Sequence, residues 1–344
     1  MRTDRASAPT VGRSAHADGA AVTVGAFDGV HVGHRALIDA TVGEARSRRV
    51  PSVVLTFATH PAAVLRPDRA PALLCTREEK LEAIASLGVD RVAMLPFTPA
   101  VAHLTAGEFV ERVLVERLGT KHLVIGHDHA LGRDRVGDAE ELRRLGEEFG
   151  FGVTVVDPVR LDPAPAGGAG PVSSSAIRAA LARGDVRAAE VMLGRPYWLT
   201  GEVVRGEGRG REIGVPTANL DIPGGKLLPA AGIYAARAWV GGPAPAAASP
   251  DGPRLADEAS EEPSPVPAGP LDAVLHVGPR PVFDDARVTV ETHLIDHRLD
   301  LYGLRIRLEL VDRIRDVADF DSVQDLVAAI RQDVRDAETA LRRG

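Results

Sequence analysis

The chain holds a single cysteine, Cys75, in 344 residues. That excludes an intrachain disulfide framework and fits a reducing compartment. Aromatic residues make up only 4%, so any core must be built from Ala, Val, Leu and Ile. No apolar run approaches the roughly 20 residues that a membrane-spanning helix needs. The opening stretch, MRTDRASAPTVGRSAHADG, lacks the apolar centre of a secretory signal. No strongly basic segment stands out, and the formal net charge is −7. Neither a nucleic-acid partner nor an anionic membrane surface is therefore expected. These absences together predict a soluble cytoplasmic protein. What is plentiful is apolar residue, 44% of the chain, enough for real cores. At roughly 100–200 residues per domain, the length predicts two domains.

The hydrophobic pattern divides the chain. Residues 1–19 read as a disordered lead-in. From Ala20, short apolar runs alternate with amphipathic stretches. AAVTVGAF, PSVVLTF, RVAMLPF, HLVIG and GVTVVDPV read as strands. Helices are predicted over His31 to Arg48, Thr76 to Leu87, Thr105 to Leu118 and Ala139 to Phe149. Strands alternating with helices predict an α/β domain with a Rossmann-like parallel sheet, over 20–188. A further helix, capped by Ser173 or Ser174, runs to about Ala182. Past Arg195 the pattern becomes all-β: YWLTGEVV, GIYAARAWV, LDAVLHVG, RVTVETHLID and RIRLELVDRI follow one another with no helix between them. Residues 189–344 thus predict a small barrel closed by a helix from about Ser322 to Arg342. The segment at about 242–269 is rich in Pro, Ala, Ser and acid, and is expected to be a disordered insertion between strands.

Two places carry chemistry. The first strand runs into a turn built from Gly25, Phe27, Asp28, Gly29, His31, Gly33 and His34. Glycines there let backbone approach a phosphate, and both histidines fall at a helix N-terminus, where unpaired N–H groups favour anions. Ser173, Ser174 and Ser175 open a later helix, with Arg178 one turn on. One serine is needed as a cap; three serines and an arginine exceed that need. Arg178 is suited to charge building on a leaving pyrophosphate. In the second half, Gly206, Gly210, Arg211 and Gly214 lie in a glycine-rich loop that can wrap a polyphosphate. Pro216-Thr217-Ala218-Asn219 follows; Thr217 and Asn219 supply hard oxygen ligands suited to nucleotide-borne Mg²⁺. Glu291 sits on a strand with Thr289 and His293 on its face. It reads either as an ordinary exposed glutamate or as a base taking the proton of an attacking alcohol.

The first half resembles a known family. GAFDGVHVGH, TFATHP, the stretch from LLCTREEK, GHDHALGRDRVGD and VSSSAIRAAL, over about Ala20 to Pro196, are similar to the HxGH nucleotidyltransferases. They come in the order of the FAD synthetase module of bacterial bifunctional riboflavin kinase/FMN adenylyltransferases. GRGREIGVPTANL, LLPAAGIYAARAWV, HVGPRPVF, VETHLIDHRLDLYG and DFDSVQDLVAAIRQDVRDA, from about Gly194 to the end, resemble the riboflavin kinase domain, a six-stranded Greek-key barrel with a terminal helix. The resemblance implies that His31, His34, Ser174 and Arg178 handle ATP phosphates, that Thr217 and Asn219 hold Mg·ATP, and that Glu291 is the base. It implies ATP-dependent phosphorylation of riboflavin to FMN and adenylylation of FMN to FAD. The chain departs from the family at Ala58-Thr59, where Asp-Pro is usual, and at His276 and Val282, where Asn and Thr are common. It also departs in the loop containing Asp128, His129 and Leu131, candidate flavin contacts where two aromatics are usual. Two other readings stand beside the bifunctional one. One is a riboflavin kinase whose adenylyltransferase half is weakened; the other is a flavin-binding paralogue without turnover.

Overall fold

A computed structural model describes residues 19–162, 170–206, 215–241, 269–279 and 288–343. The expected lead-in, the insertion over 242–268, and Gly210, Arg211 and Gly214 lie outside the described residues. The chain divides into two compact units, 1–71 with 77–159, and 72–76 with 160–344.

In the first unit five strands, β1 (Ala20–Val24), β2 (Ser52–Phe57), β3 (Arg91–Leu95), β4 (Thr120–Gly126) and β5 (Gly152–Val156), form one sheet in the order β3-β2-β1-β4-β5. Every pairing is parallel. Residues of β1 and β2 are buried throughout, as a sheet covered on both faces requires. The chain runs outward from β1 to β3 on one side, then crosses to β4 on the other. The crevice between the carboxyl ends of β1 and β4 is therefore the topological switch point, where open α/β sheets take their ligands. Val32–Arg48 and Ala139–Phe149 are helical. The expected helix Thr105 to Leu118 starts as Ala106–Phe109 and widens into π geometry over Val110–Val115. Apolar packing of Phe109, Val110, Val113 and Leu114 into the core survives that change.

The second unit contains β6 (Tyr197–Val204), β7 (Ala218–Asp221), β8 (Gly232–Val240), β9 (Leu271–Pro279), β10 (Val288–Leu294) and β11 (Arg305–Arg315). They close into an antiparallel barrel in the order β10-β7-β6-β11-β8-β9. Strands β8, β9 and β10 form a meander and β11 returns to lie beside β8, which is a Greek key. Leu199, Val203, Ala236, Leu275, Val290, Thr292, Leu294 and Leu308 are buried, as alternation along the strands demands. The helix Val323–Leu341 covers the outer face, packing Ala337, Ala340 and Leu341 on Ile233, Val274 and Val311. Two helices, Ser174–Ala182 and Val186–Leu193, bury Ile177, Leu181, Ala189 and Leu193 in the same cluster as the barrel interior.

Candidate active sites

The turn after β1 is held in an unfavourable backbone form. Phe27, Gly29 and Val30 have φ of 48°, 88° and 45°. Glycine takes that region freely, but a β-branched Val there is a genuine outlier, and each such residue costs of order 1–3 kcal/mol. The surroundings hold the strain in place. Phe27 and Val30 are buried. The Ala26 carbonyl accepts from Lys80 Nζ at 3.1 Å and Thr56 Oγ1 at 3.2 Å. Lys80 also donates to the Phe57 carbonyl at 2.9 Å, so one buried ammonium ties the turn to the end of β2.

The strained turn delivers His31 as the N-cap of the helix Val32–Arg48. His34 N donates to His31 Nδ1 and His31 N donates to His34 Nδ1, both at 3.3 Å. This is a capping box built from two imidazoles, whose rings stack with centroids 3.7 Å apart. With Nδ1 accepting in each ring, the neutral imidazole carries its proton on Nε2. Burial drives the His31 pKa down to about 4, against the pull of Asp28 and Asp128. His34 is also held well below the usual range, by burial first and then by His31 and Lys80. Both rings are therefore neutral Nε2–H donors at physiological pH. They stand at the switch point, because their helix follows β1, the neighbouring β4 ends at Gly126, and the Asp128 charge reaches His31.

Gly25 precedes the turn and Gly33 sits in the helix's first turn. In the loop after β4, Asp128 is exposed and His129 partly exposed. Leu131 is buried in the core of this unit and bridges Gly137 through the backbone. Ser173 does the capping expected of one serine, accepting from Ala176 N at 3.2 Å, while Ser174 and Ser175 start the helix proper. Arg178 Nε donates to the Ala72 carbonyl at 2.8 Å. These four residues belong to the second compact unit, whereas His31 and His34 belong to the first.

On the barrel, strand register assembles the other set. Glu291 on β10 faces Asn219 on β7 across one rung and His276 on β9 across the next. The row continues through Ile233 on β8 to Arg315 on β11. Val290, Thr292 and Leu294 point inward, so Glu291 and His293 share the outer face, as the alternation predicts. Asn219 lies against the bare backbone of Gly206: a Cβ there would come within 2.7 Å of Asn219 Cγ. Thr217 is exposed at the lip of a cavity of about 620 Å³, walled by Val203, Leu294, Leu301 and Tyr302. At the far end of the row, Arg315 makes a two-pronged ion pair with buried Asp333, both contacts 2.7 Å. Beside it a second cavity, about 310 Å³, is walled by Ile314, Ala318, Phe320 and Ala329. Burial keeps His276 below the ordinary imidazole range despite Glu291 next to it.

Sequence reasoning missed Lys80, Arg315 and Asp333. Lys80 carries a usable signal. A cation in the first turns of a helix that opens with Glu78 and Glu79 opposes the helix dipole, so another attraction must hold it. Among the described residues no cluster of His, Cys, Asp and Glu is arranged to hold a metal ion, and no helix is long and apolar enough to cross a membrane.

Comparison with known proteins covers both halves. Residues 13–166 match the FAD synthetase family model and residues 193–341 the riboflavin kinase model. A bifunctional riboflavin kinase/FMN adenylyltransferase from Escherichia coli (strain K12) is 35% identical over 92% of this chain and 91% of its own. Its counterpart from Pseudomonas fluorescens is 34% identical over 92% and 91%. The one from Bacillus subtilis (strain 168) is 30% identical over 92% and 90%. A crystal structure from Streptococcus pneumoniae, described as a macrolide-efflux protein, superposes with a TM-score of 0.77 at 30% identity, covering 94% of this chain and 95% of that one.

Proposed function

The chain belongs to the bifunctional riboflavin kinase/FMN adenylyltransferase family, and from that premise we propose how its residues divide the work. It phosphorylates riboflavin to FMN and adenylylates FMN to FAD with release of pyrophosphate. Matches to both family models, and relatives of both activities along nearly the whole chain, do not favour a single-activity kinase or a silent paralogue.

For adenylylation, the FMN phosphate is itself the nucleophile on the α-phosphorus of ATP, so the protein need supply no base. Positioning and charge stabilisation carry the rate. His31 and His34 serve as neutral Nε2–H donors to phosphate oxygens, and the loop of Gly25, Phe27, Asp28, Gly29 and Gly33 shapes that site. Ser173, Ser174, Ser175 and Arg178 keep the phosphate-binding role that their motif implies. Asp128 and His129 are the nearer candidates for FMN, with Leu131 adding apolar support from within the core. On this reading the functional boundary falls at 188/189, between the two family-model matches, whereas the compact units divide at 159/160.

For phosphorylation, Glu291 takes the proton of the ribityl hydroxyl as its oxygen attacks the γ-phosphorus and ADP leaves. Thr217 Oγ1 and Asn219 Oδ1 would hold the Mg²⁺ that ATP carries, and Gly206 leaves Asn219 the room to do so. When bound, that ion neutralises charge on the transferring phosphates. The cavity beside Thr217 suits the nucleotide. The apolar cavity with Phe320, at the other end of the Glu291 row, suits the flavin ring. A cytoplasmic setting agrees with these soluble substrates.

The observation that carries this reading is the Glu291–Asn219 rung on one compact unit and the reciprocal His31–His34 cap on the other. Glu291→Gln should abolish FMN formation yet spare FAD formation from supplied FMN. The double change His31→Ala with His34→Ala should do the reverse. Chromatography of flavins after incubation with riboflavin, ATP and Mg²⁺ reads both. Loss of both products in either folded variant would defeat the two-site assignment.

A further inference from the structure

Strand β7 stops abruptly. Its rungs with β10 run Leu220–Val290, Asn219–Glu291 and Ala218–Thr292, and there the ladder ends. Continued pairing would set Thr217 against His293 and Pro216 against Leu294. Proline has no N–H to offer a ladder, so backbone pairing cannot extend through it. The Pro216 carbonyl finds a side chain instead. His293 Nδ1 lies 2.8 Å from that oxygen. A carbonyl only accepts, so the proton is on Nδ1 and the ring donates. His293 is partly buried on the outer face of β10, two residues past Glu291, on the same side of the strand. One strand thus carries the base Glu291 and, two residues on, a side-chain tie from β10 to the turn before Asn219.

We propose that His293 is a positioning residue for phosphorylation: its imidazole replaces the missing ladder bond, pins the Pro216–Thr217 turn to β10, and so fixes Thr217 relative to Asn219 and Glu291 for Mg·ATP. This rests on the kinase reading of those three residues. The tie acts on a metal-binding turn and not on the reacting atoms. Its loss should therefore weaken nucleotide–metal binding more than it slows the chemical step. Asparagine at 293 can present Nδ2–H near the position of Nδ1–H, whereas phenylalanine keeps the ring and loses the donor.

The test uses the full chain carrying His31→Ala and His34→Ala, so that binding reports the barrel. Mn²⁺ with ADP is titrated by calorimetry, and riboflavin phosphorylation gives KM for ATP and kcat. His293→Phe is expected to weaken Mn·ADP and raise KM for ATP by roughly three- to tenfold, the worth of one net hydrogen bond, with kcat changed less than twofold. His293→Asn is expected to restore most of both. Unchanged Mn·ADP affinity in His293→Phe overturns the proposal. So does a His293→Asn variant as weak as His293→Phe, since the effect would then follow ring shape and not the donor. A parallel Asn219→Ala separates the two layers: if it leaves Mn·ADP affinity unchanged, the metal-site reading itself fails, whatever His293 does.

Discussion

Acidification offers a direct test of the paired histidines, of which His31 is buried. His31 ionises near 4 in the folded protein and near 6.5 when unfolded. Between those values the unfolded chain binds a proton that the folded chain refuses. Stability of the first unit must therefore fall as pH drops from 6.5 to 4, and be independent of this group outside that window. The gap of about 2.5 units corresponds to roughly 3.5 kcal/mol, at about 1.4 kcal/mol per unit, of which roughly 3 kcal/mol is expressed between pH 7 and 4. His34 acts with the same sign. Carboxylates titrate in the lower part of the same range, so the useful quantity is a difference. Denaturant unfolding of the wild type and of His31→Gln is followed at pH 7, 6, 5 and 4. The wild type is expected to lose roughly 3 kcal/mol more than the variant across the window. In the free protein, the His31 ring proton should titrate with a midpoint near 4 by NMR. A midpoint near 6.5, or parallel stability curves, would refute both the burial argument and the assignment of a neutral Nε2–H donor.

Three further outcomes are expected. Gly206→Ala should push Asn219 aside and lower kcat/KM for phosphorylation about tenfold or more, since overpacking costs typically 1–3 kcal/mol; initial rates with riboflavin and ATP read this. Lys80→Met should take a donor from the Phe57 carbonyl and leave the Ala26 carbonyl to Thr56 Oγ1, cost the first unit about 2 kcal/mol in denaturant unfolding, and raise KM for ATP in adenylylation. Deleting Pro243 to Pro267 should leave phosphorylation within a few fold, because β8 and β9 are neighbours on either side of it and loop closure changes by only about 0.6 kcal/mol per doubling of length.

Much of the fold is legible in the chain because its periodicities are clean. YWLTGEVV is β6 from end to end, and the helix Ala139–Phe149 starts and stops where Asp138 and Gly150 say it should. Elements without a period are harder to see. Strand β7 is four residues long and begins two residues after a proline, so its motif reads as a turn. Val186–Leu193 is a short helix in an Ala-rich stretch whose apolar spacing is weak against its background. In the candidate sites, His31, His34, Asn219 and Glu291 are marked by local context. Lys80 and Arg315 are not, because their partners, the Ala26 and Phe57 carbonyls and the Asp333 carboxylate, come from distant segments. The strain at Phe27 and Val30 is invisible for a related reason: a residue forced to positive φ by its surroundings is not chosen for that geometry, as Gly29 is.

The closed ladder of the barrel has a kinetic consequence. Asn219, Glu291 and His276 are aligned by rungs in a ring of strands that has no free edge. In an open sheet a terminal strand can peel or slip by a residue while the rest persists, turning every side chain to the opposite face. Here β10 cannot shift without breaking its pairings to both neighbours at once. Heat inactivation of phosphorylation should therefore coincide with loss of the whole barrel, with no earlier phase in which a folded but misaligned enzyme accumulates.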